Sequence, residues 1–390
     1  MVKKIAIRVD TNEKIATGHV LRCMTVADSL VRMGAETVLV SADEGVVPFA
    51  RGHEIGVHVL GTDWSDMESE TDALIGYLKA ENVDAMLVDS YGVSAPYFDR
   101  LREAGIRVAC MDDLCEEAYP VEAVINYNPA AVFMEYERLY VGSGISLFLG
   151  ESFIPIRDQF TQVRESLGRG ILVTTGGTDS LGAADAIIRS IPEDSDLSIG
   201  RRTGGRPGTF DGIHLLAGRY FEPTECILRA IETGPVTLHR DVSDVASVMA
   251  RCRVAVSSAG STLYELSAMG IPTITFTIAD NQMPNARFFA GILGAEAGPE
   301  ALGDADAVEM KSGVTSDADA SAVRTDCYMP YAGDFRTDRE GCLRRVCAFL
   351  REAASMSDEE LCRRGSRLRS LVDGRGADRI AEILLEVSRR

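Results

Sequence analysis

From residue 5 onward the chain alternates short runs of Ile, Val, Ala and Leu with longer stretches whose apolar residues recur every three or four positions. The runs IAIRV, ETVLVSA, AMLVDS, IRVACMDD and AVINYN have the length and β-branched content of buried strands, and TVADSLVRMG and TDALIGYLKAEN have helical spacing. The polar stretch ESFIPIRDQFTQVRESLGRG interrupts this rhythm and places a domain boundary near residues 155–168. A second series follows, with ILVTT, IHLLAG, VTLHR, VAVSSAG and PTITFTI as strands. GAADAIIRSI, CILRAIET, DVASVMARC and STLYELSAMG read as helices, and LRRVCAFLREAASM and ADRIAEILLEVSRR form a helical tail. Strands alternating with helices predict parallel α/β sheets, so the expected fold is two doubly wound, Rossmann-like domains facing across a cleft. The expected bounds are 1–160 and 161–390. The second domain carries an acidic, Ala/Ser-rich insertion of poor periodicity at about 299–330.

The charge balance narrows the partners. With 59 acidic and 40 basic residues the chain carries a formal charge of −19, and a polyanion such as nucleic acid is repelled at long range. A small anion remains accessible, because loop amides and a few Arg or Lys act locally. No run approaches the ~18 apolar residues of a membrane span, and no signal core precedes the first strand. The expectation is a cytoplasmic protein without stable membrane insertion, a monomer or weak homodimer. Its nine cysteines form no C-x-x-C pair and have no histidine at ligand spacing. They read as reduced, buried side chains, and neither a metal nor another cofactor is expected.

Candidate chemistry clusters where strands end. After IAIRV come Arg8, Asp10 and the segment ATGHVLRC, with Gly18, His19 and Arg22. A helix N-terminus favours the neutral, proton-accepting imidazole, so His19 suits a general base; the alternative is that it caps the helix. Asp89, Ser90 and Tyr91 follow AMLV. Asp112 and Asp113 follow IRVAC, and Asn126 and Asn128 follow AVI. Asp, Asn and Ser also favour turns, and that reading is stronger for Asp113 and Asn128 than for Asp89. In the second half, TTGGTD and SSAGSTLYE offer small residues with free amides, a pattern that suits a diphosphate. Neither matches the glycine spacing of a nicotinamide site or a P-loop.

The ordered series RVD, GHVLRC, VDSYG, MDDL, INYNP, FIPIRDQF, TTGGTD, SSAGSTLYEL, GIP and DNQ resembles the hydrolases of UDP-2,4-diacetamido-2,4,6-trideoxy-β-L-altropyranose in pseudaminic acid biosynthesis, and the related spore-coat polysaccharide proteins. In AGST, GIP, DNQ and DGRGADRIA the second half is also similar to the glycosyltransferase that adds N-acetylglucosamine to lipid I. The resemblance implies a metal-independent glycosyltransferase-B fold and a UDP-sugar substrate. It implies His19 as the base activating water, with Asp10 and Tyr91 beside it. Arg8, Gly18, Arg22, Asp89 and Asn126 would shape the sugar pocket. Gly177, Thr178, Ser258, Ala259, Gly260, Ser261 and Thr262 would hold the diphosphate, Glu265 the ribose, and Asn281 and Gln282 the sugar or its phosphate. Against the family pattern I-G-x-G-H, this chain has Ala16 in place of a glycine. The arginine-rich segment 199–210 also departs from it. A glycosyltransferase of the same fold and a non-catalytic nucleotide-sugar binder are the competing expectations.

Overall fold

The computed structural model describes residues 2–12, 17–161, 167–176, 179, 181–193, 197–199, 209–218, 221–291 and 329–389. It divides into two compact units, Met1–Asp158 with Val372–Arg390, and Gln159–Leu371.

The first unit contains β1 Lys4–Val9, α1 Gly18–Arg32, β2 Glu36–Ser41, α2 Val47–Ala50, β3 Gly56–Val59, α3 Met67–Ala80 and β4 Ala85–Asp89. It continues with α4 Ala95–Glu103, β5 Val108–Met111, β6 Ala123–Asn126, α5 Tyr136–Leu139 and β7 Ser146–Leu149. The seven strands form one parallel sheet in the order β3-β2-β1-β4-β5-β6-β7. Side-chain alternation decides what each face covers. Ile5, Ile7 and Val9 of β1 join Leu39 and Leu87 against α1, whereas Ala6 joins Val40, Met86 and Val88 against Met67, Leu74, Phe98 and Leu101 of α3 and α4. Arg8 shares the Ala6 face and is fully buried. A buried guanidinium needs a counter-ion, and Glu70 of α3 supplies it through a fork, Nε to Oε1 at 2.7 Å and Nη2 to Oε2 at 2.6 Å.

The second unit contains β8 Gly170–Thr174, α6 Ala183–Glu193, β9 Ser198–Ile199, β10 Thr209–Phe210, β11 Ile213–Ala217, α7 Glu225–Thr233, β12 Val236–Arg240 and α8 Val245–Ala250. Then follow β13 Cys252–Ser258, α9 Thr262–Ala268, β14 Thr273–Thr277, α10 Met283–Phe289, β15 Tyr331–Asp334, α11 Arg339–Ser355 and α12 Asp358–Leu371. Its main sheet is parallel in the order β12-β11-β8-β13-β14-β15, and β9 and β10 form a separate pair. Both sheets repeat one doubly wound plan. In each the order reverses beside the first strand, between β1 and β4 and between β8 and β13. Loops leaving the carboxyl ends of those strands therefore border a crevice.

The first compact unit runs to Asp158 and takes up the chain again from Val372. The last helix, α13 Gly376–Val387, belongs to the first. Its Ile380, Ile383, Leu384 and Val387 join the core beneath α1, and Asp378 accepts from Ser29 and, at 3.0 Å, from Arg32. Gly376 allows this approach, since a Cβ there would stand 2.1 Å from the Ile154 carbonyl oxygen. Lys3 and Arg107 cover the far end by donating to the Ser388 carbonyl at 2.9 and 3.1 Å. The acidic insertion lies outside the described residues except at its end, where β15 follows it as an edge strand.

Candidate active site

The switch point of the first sheet brings α1 against the end of β4. β1 and β4 pair with Val9 opposite Asp89, so the chain leaving β1 enters α1 directly over the Asp89 carboxylate. Thr17 is the residue before α1 and makes no side-chain cap. The His19 ring does not cap the helix either: its Nδ1 lies 2.8 Å from Asp89 Oδ1. Arg22, one turn on, grips the same carboxylate, with Nε 2.5 Å from Oδ2 and Nη2 on Oδ1. Arg22 Nη2 also lies 3.2 Å from His19 Nδ1. A lone pair on Nδ1 would be repelled by a carboxylate oxygen at 2.8 Å, so the proton sits on Nδ1 and points at Asp89, and Nε2 is the basic atom. The Cys23 thiol completes the shell at 3.3 Å from Oδ2. Asp89 is 1% exposed. Burial alone would favour its acid form, but the Arg22 charge, with hydrogen bonds from Arg22 and His19, holds it well below the usual carboxylate range.

A second layer follows. Tyr91 packs edge-on against His19, ring centroids 4.8 Å apart, and donates to Asp113 Oδ2 at 2.9 Å. Loss of water around the hydroxyl, then the Asp113 charge, raise this phenol well above its ordinary range, so it stays protonated. Arg22 Nη1 reaches the Tyr127 hydroxyl at 2.5 Å and lies 4.0 Å from Asp113 Oδ2. Asp113, read from sequence as a turn residue, thus belongs to the cluster. Only its place after a strand end signalled this. Tyr127 and Cys23 carried no such signal.

Other sequence candidates of the first unit have partners of their own. Arg8 is directed at Glu70 and at Asp10 Oδ2, 2.7 Å away. Asp10 is buried and accepts from the Ala42 amide at 2.9 Å. Asn126 is buried, bonding the Tyr136 hydroxyl and the Asn128 amide at 3.0 and 2.9 Å. Both of its amide groups therefore organise the loop after β6. Gly18 is exposed, and no described atom lies within 4 Å of where its Cβ would be. Ala16 lies outside the described residues.

In the second unit the segment after β13 leads into α9. Ser258 and Ala259 are buried, Ser261 is exposed, and Gly260 and Thr262 are intermediate. Asn285 of α10 anchors it, donating to the Ala259 carbonyl at 3.3 Å and accepting from Tyr264 at 2.6 Å. Among the described residues no backbone carbonyl accepts from the amides of Ser261 or Thr262. Gln282 Oε1 accepts from Ile278 at 3.0 Å, and its Nε2 would stand 4.0 Å from a Cβ on Gly260. Asn281 is exposed and Glu265 half-buried, one turn into α9. After β8, Gly177 and Thr178 lie outside the described residues. Asp179 caps α6 through the Ala183 and Ala184 amides at 2.8 and 3.0 Å. Among the described residues no three His, Cys, Asp or Glu are arranged to hold a metal ion, and no helix is long and apolar enough to cross a membrane.

The two sheets define a glycosyltransferase-B architecture, and solved structures share it across almost the whole chain. MurG of Acinetobacter baumannii superposes with a TM-score of 0.60 at 13% identity, covering 98% of this chain and 99% of its own. A glycosyltransferase of Rickettsia africae gives 0.58 at 11% identity, covering 99% and 98%. HepE of Anabaena, solved with UDP, gives 0.56 at 10% identity, covering 99% and 100%. At the level of sequence no family model matches. The chain is 20% identical over 304 residues to the spore coat polysaccharide biosynthesis protein SpsG of Bacillus subtilis, 73% of this chain and 80% of SpsG. It is 19% identical over 283 residues to uncharacterized protein MJ1062 of Methanocaldococcus jannaschii. That match covers 70% of this chain and 55% of MJ1062, so the chain spans about half the length of the archaeal relative.

Proposed function

We propose that the protein is an enzyme of surface polysaccharide or nonulosonic acid biosynthesis that hydrolyses a UDP-linked deoxy-amino hexose at its anomeric carbon. The observation that carries this is the His19–Asp89 pair at the switch point of the first sheet, 2.8 Å between Nδ1 and Oδ1. His19 Nε2 takes a proton from water while Nδ1–H stays on Asp89, whose charge stabilises the imidazolium as it forms. The water oxygen bonds to the anomeric carbon as the bond to the β-phosphate oxygen breaks, with inversion, and UDP departs with the electron pair. Charge growing on the diphosphate needs donors that do not have to reorganise. The amides of Ser261 and Thr262 and the Gln282 amide are the candidates, with Gly177 and Thr178. Glu265 is assigned to the ribose, and Tyr91, Asp10 and Gly18 to the surroundings of the sugar. The fold shared with a UDP-bound structure and the similarity to SpsG support a nucleotide-sugar substrate. The likeness to a glycosyltransferase of Rickettsia africae supports a second reading, in which an acceptor hydroxyl replaces water at His19.

Incubation with a panel of UDP-sugars without acceptor separates the two. Hydrolysis releases UDP from at least one of them, and His19→Ala lowers kcat by about 10²- to 10⁴-fold, the usual worth of a positioned base. No UDP from any sugar until an acceptor is added would favour transfer.

A further inference from the structure

The family resemblance implies that Arg22 shapes the sugar pocket, yet all three of its guanidinium nitrogens are held from within the chain. Nε donates to Asp89 Oδ2 and Nη1 to the Tyr127 hydroxyl, each at 2.5 Å, and Nη2 donates to Asp89 Oδ1. The Tyr127 ring centroid lies 5.2 Å from Cζ, and the side chain is 12% exposed. On the carboxylate, Oδ1 receives His19 and Arg22, and Oδ2 receives Arg22 and Cys23. A carboxylate has about four acceptor sites, so Asp89 is fully occupied.

Without Arg22, burial would drive Asp89 toward its acid form. A protonated Asp89 could donate to Nδ1, and the ring would then carry its proton on Nε2, where it cannot act as a base. Only a planar fork reaches both carboxylate oxygens at once; an ammonium supplies the charge without that geometry. We propose that Arg22 is a positioning residue: it fixes Asp89 as an ionised acceptor, so that His19 holds its proton on Nδ1 and presents Nε2 as the basic atom. The kinetic consequence rests on the reading of His19 as the base; the state of the ring does not.

Two measurements on Arg22→Lys and Arg22→Gln keep these apart. The first is the nitrogen NMR spectrum of ¹⁵N-labelled protein without substrate at about pH 8.5, roughly two units above the ordinary imidazole value, with His19 assigned from His19→Gln. The expected wild-type ring is protonated on Nδ1 only, and each folded variant gains the Nε2–H form. The second is steady-state turnover, in which kcat falls at least about tenfold while KM stays within about twofold, the pattern of a group acting in the transition state. Unchanged His19 signals in both variants would overturn the proposal. So would a tenfold rise in KM at constant kcat, the mark of a substrate ligand. If the wild type releases UDP from no sugar, the reaction reading fails and the spectra alone decide the role of Arg22.

Discussion

At the residue scale, His19 shows how far sequence reaches. Its place after a strand and at the start of a helix was legible, and so was the position of Asp89 at the end of another strand. That the two meet was not, because this contact between residues 70 positions apart depends on β4 pairing beside β1. Arg8 and Asn126 show what sequence leaves out. Both sit at strand ends, but the structure gives each a buried partner of its own, Glu70 for Arg8 and Tyr136 for Asn126. The first of these pairs makes a stability prediction. Removing Glu70 leaves the buried Arg8 charge without its fork and with Asp10 alone as counter-ion, so Glu70→Ala should cost about 3–5 kcal/mol in urea unfolding. A second prediction concerns His214 and His239, whose Nδ1 and Nε2 lie 2.9 Å apart on adjacent strands. Burial comes first, then Arg251 and, for His239, the neighbouring ring; together they lower both below the ordinary imidazole value of 6.5. The unfolded chain therefore binds protons that the native state refuses as pH falls through that value. Stability should be complete above about pH 7 and decline toward pH 5, and His239→Gln should flatten the decline in a series of urea midpoints.

At the element scale the strongly apolar runs declared themselves, and the short strands did not. β3, β7 and β15 have four residues each, and most of their positions are only partly buried, so neither length nor period marks them. The helical character of α13 was plain, but a helix pattern does not say which sheet it covers; its proximity in sequence to α12 suggested the second unit. The packing makes α13 part of the core of the first. Leu384→Ala should destabilise by about 2–5 kcal/mol, as large-to-small core changes do. A chain ending at Leu371 should lose the cooperative unfolding of the first unit in calorimetry while the second unit still melts. Retention of both transitions would show α13 to be dispensable.

At the scale of the whole molecule, alternation of strands and helices was enough to indicate two doubly wound sheets, because that topology is a consequence of parallel pairing rather than of particular side chains. Chemistry is less legible, since one plan serves many reactions and only the loops differ. If the segment Ser258–Thr262 holds the diphosphate, UDP should stabilise the native protein by mass action, about 2.7 kcal/mol at a hundredfold excess over Kd. A bulky Gly260→Val, whose Cβ would meet the end of the Gln282 side chain at an ordinary contact distance of 4.0 Å, should reduce that shift with little change in the melting temperature of the free protein. The most direct test of the account is hydrolysis of the best UDP-sugar in H₂¹⁸O without acceptor, followed by mass spectrometry and proton NMR of the products. Attack by water at that carbon leaves one ¹⁸O on the anomeric carbon of the inverted free sugar and none in UDP. Label in the β-phosphate of UDP, or a retained anomer, would contradict attack at the anomeric carbon by a water activated at His19.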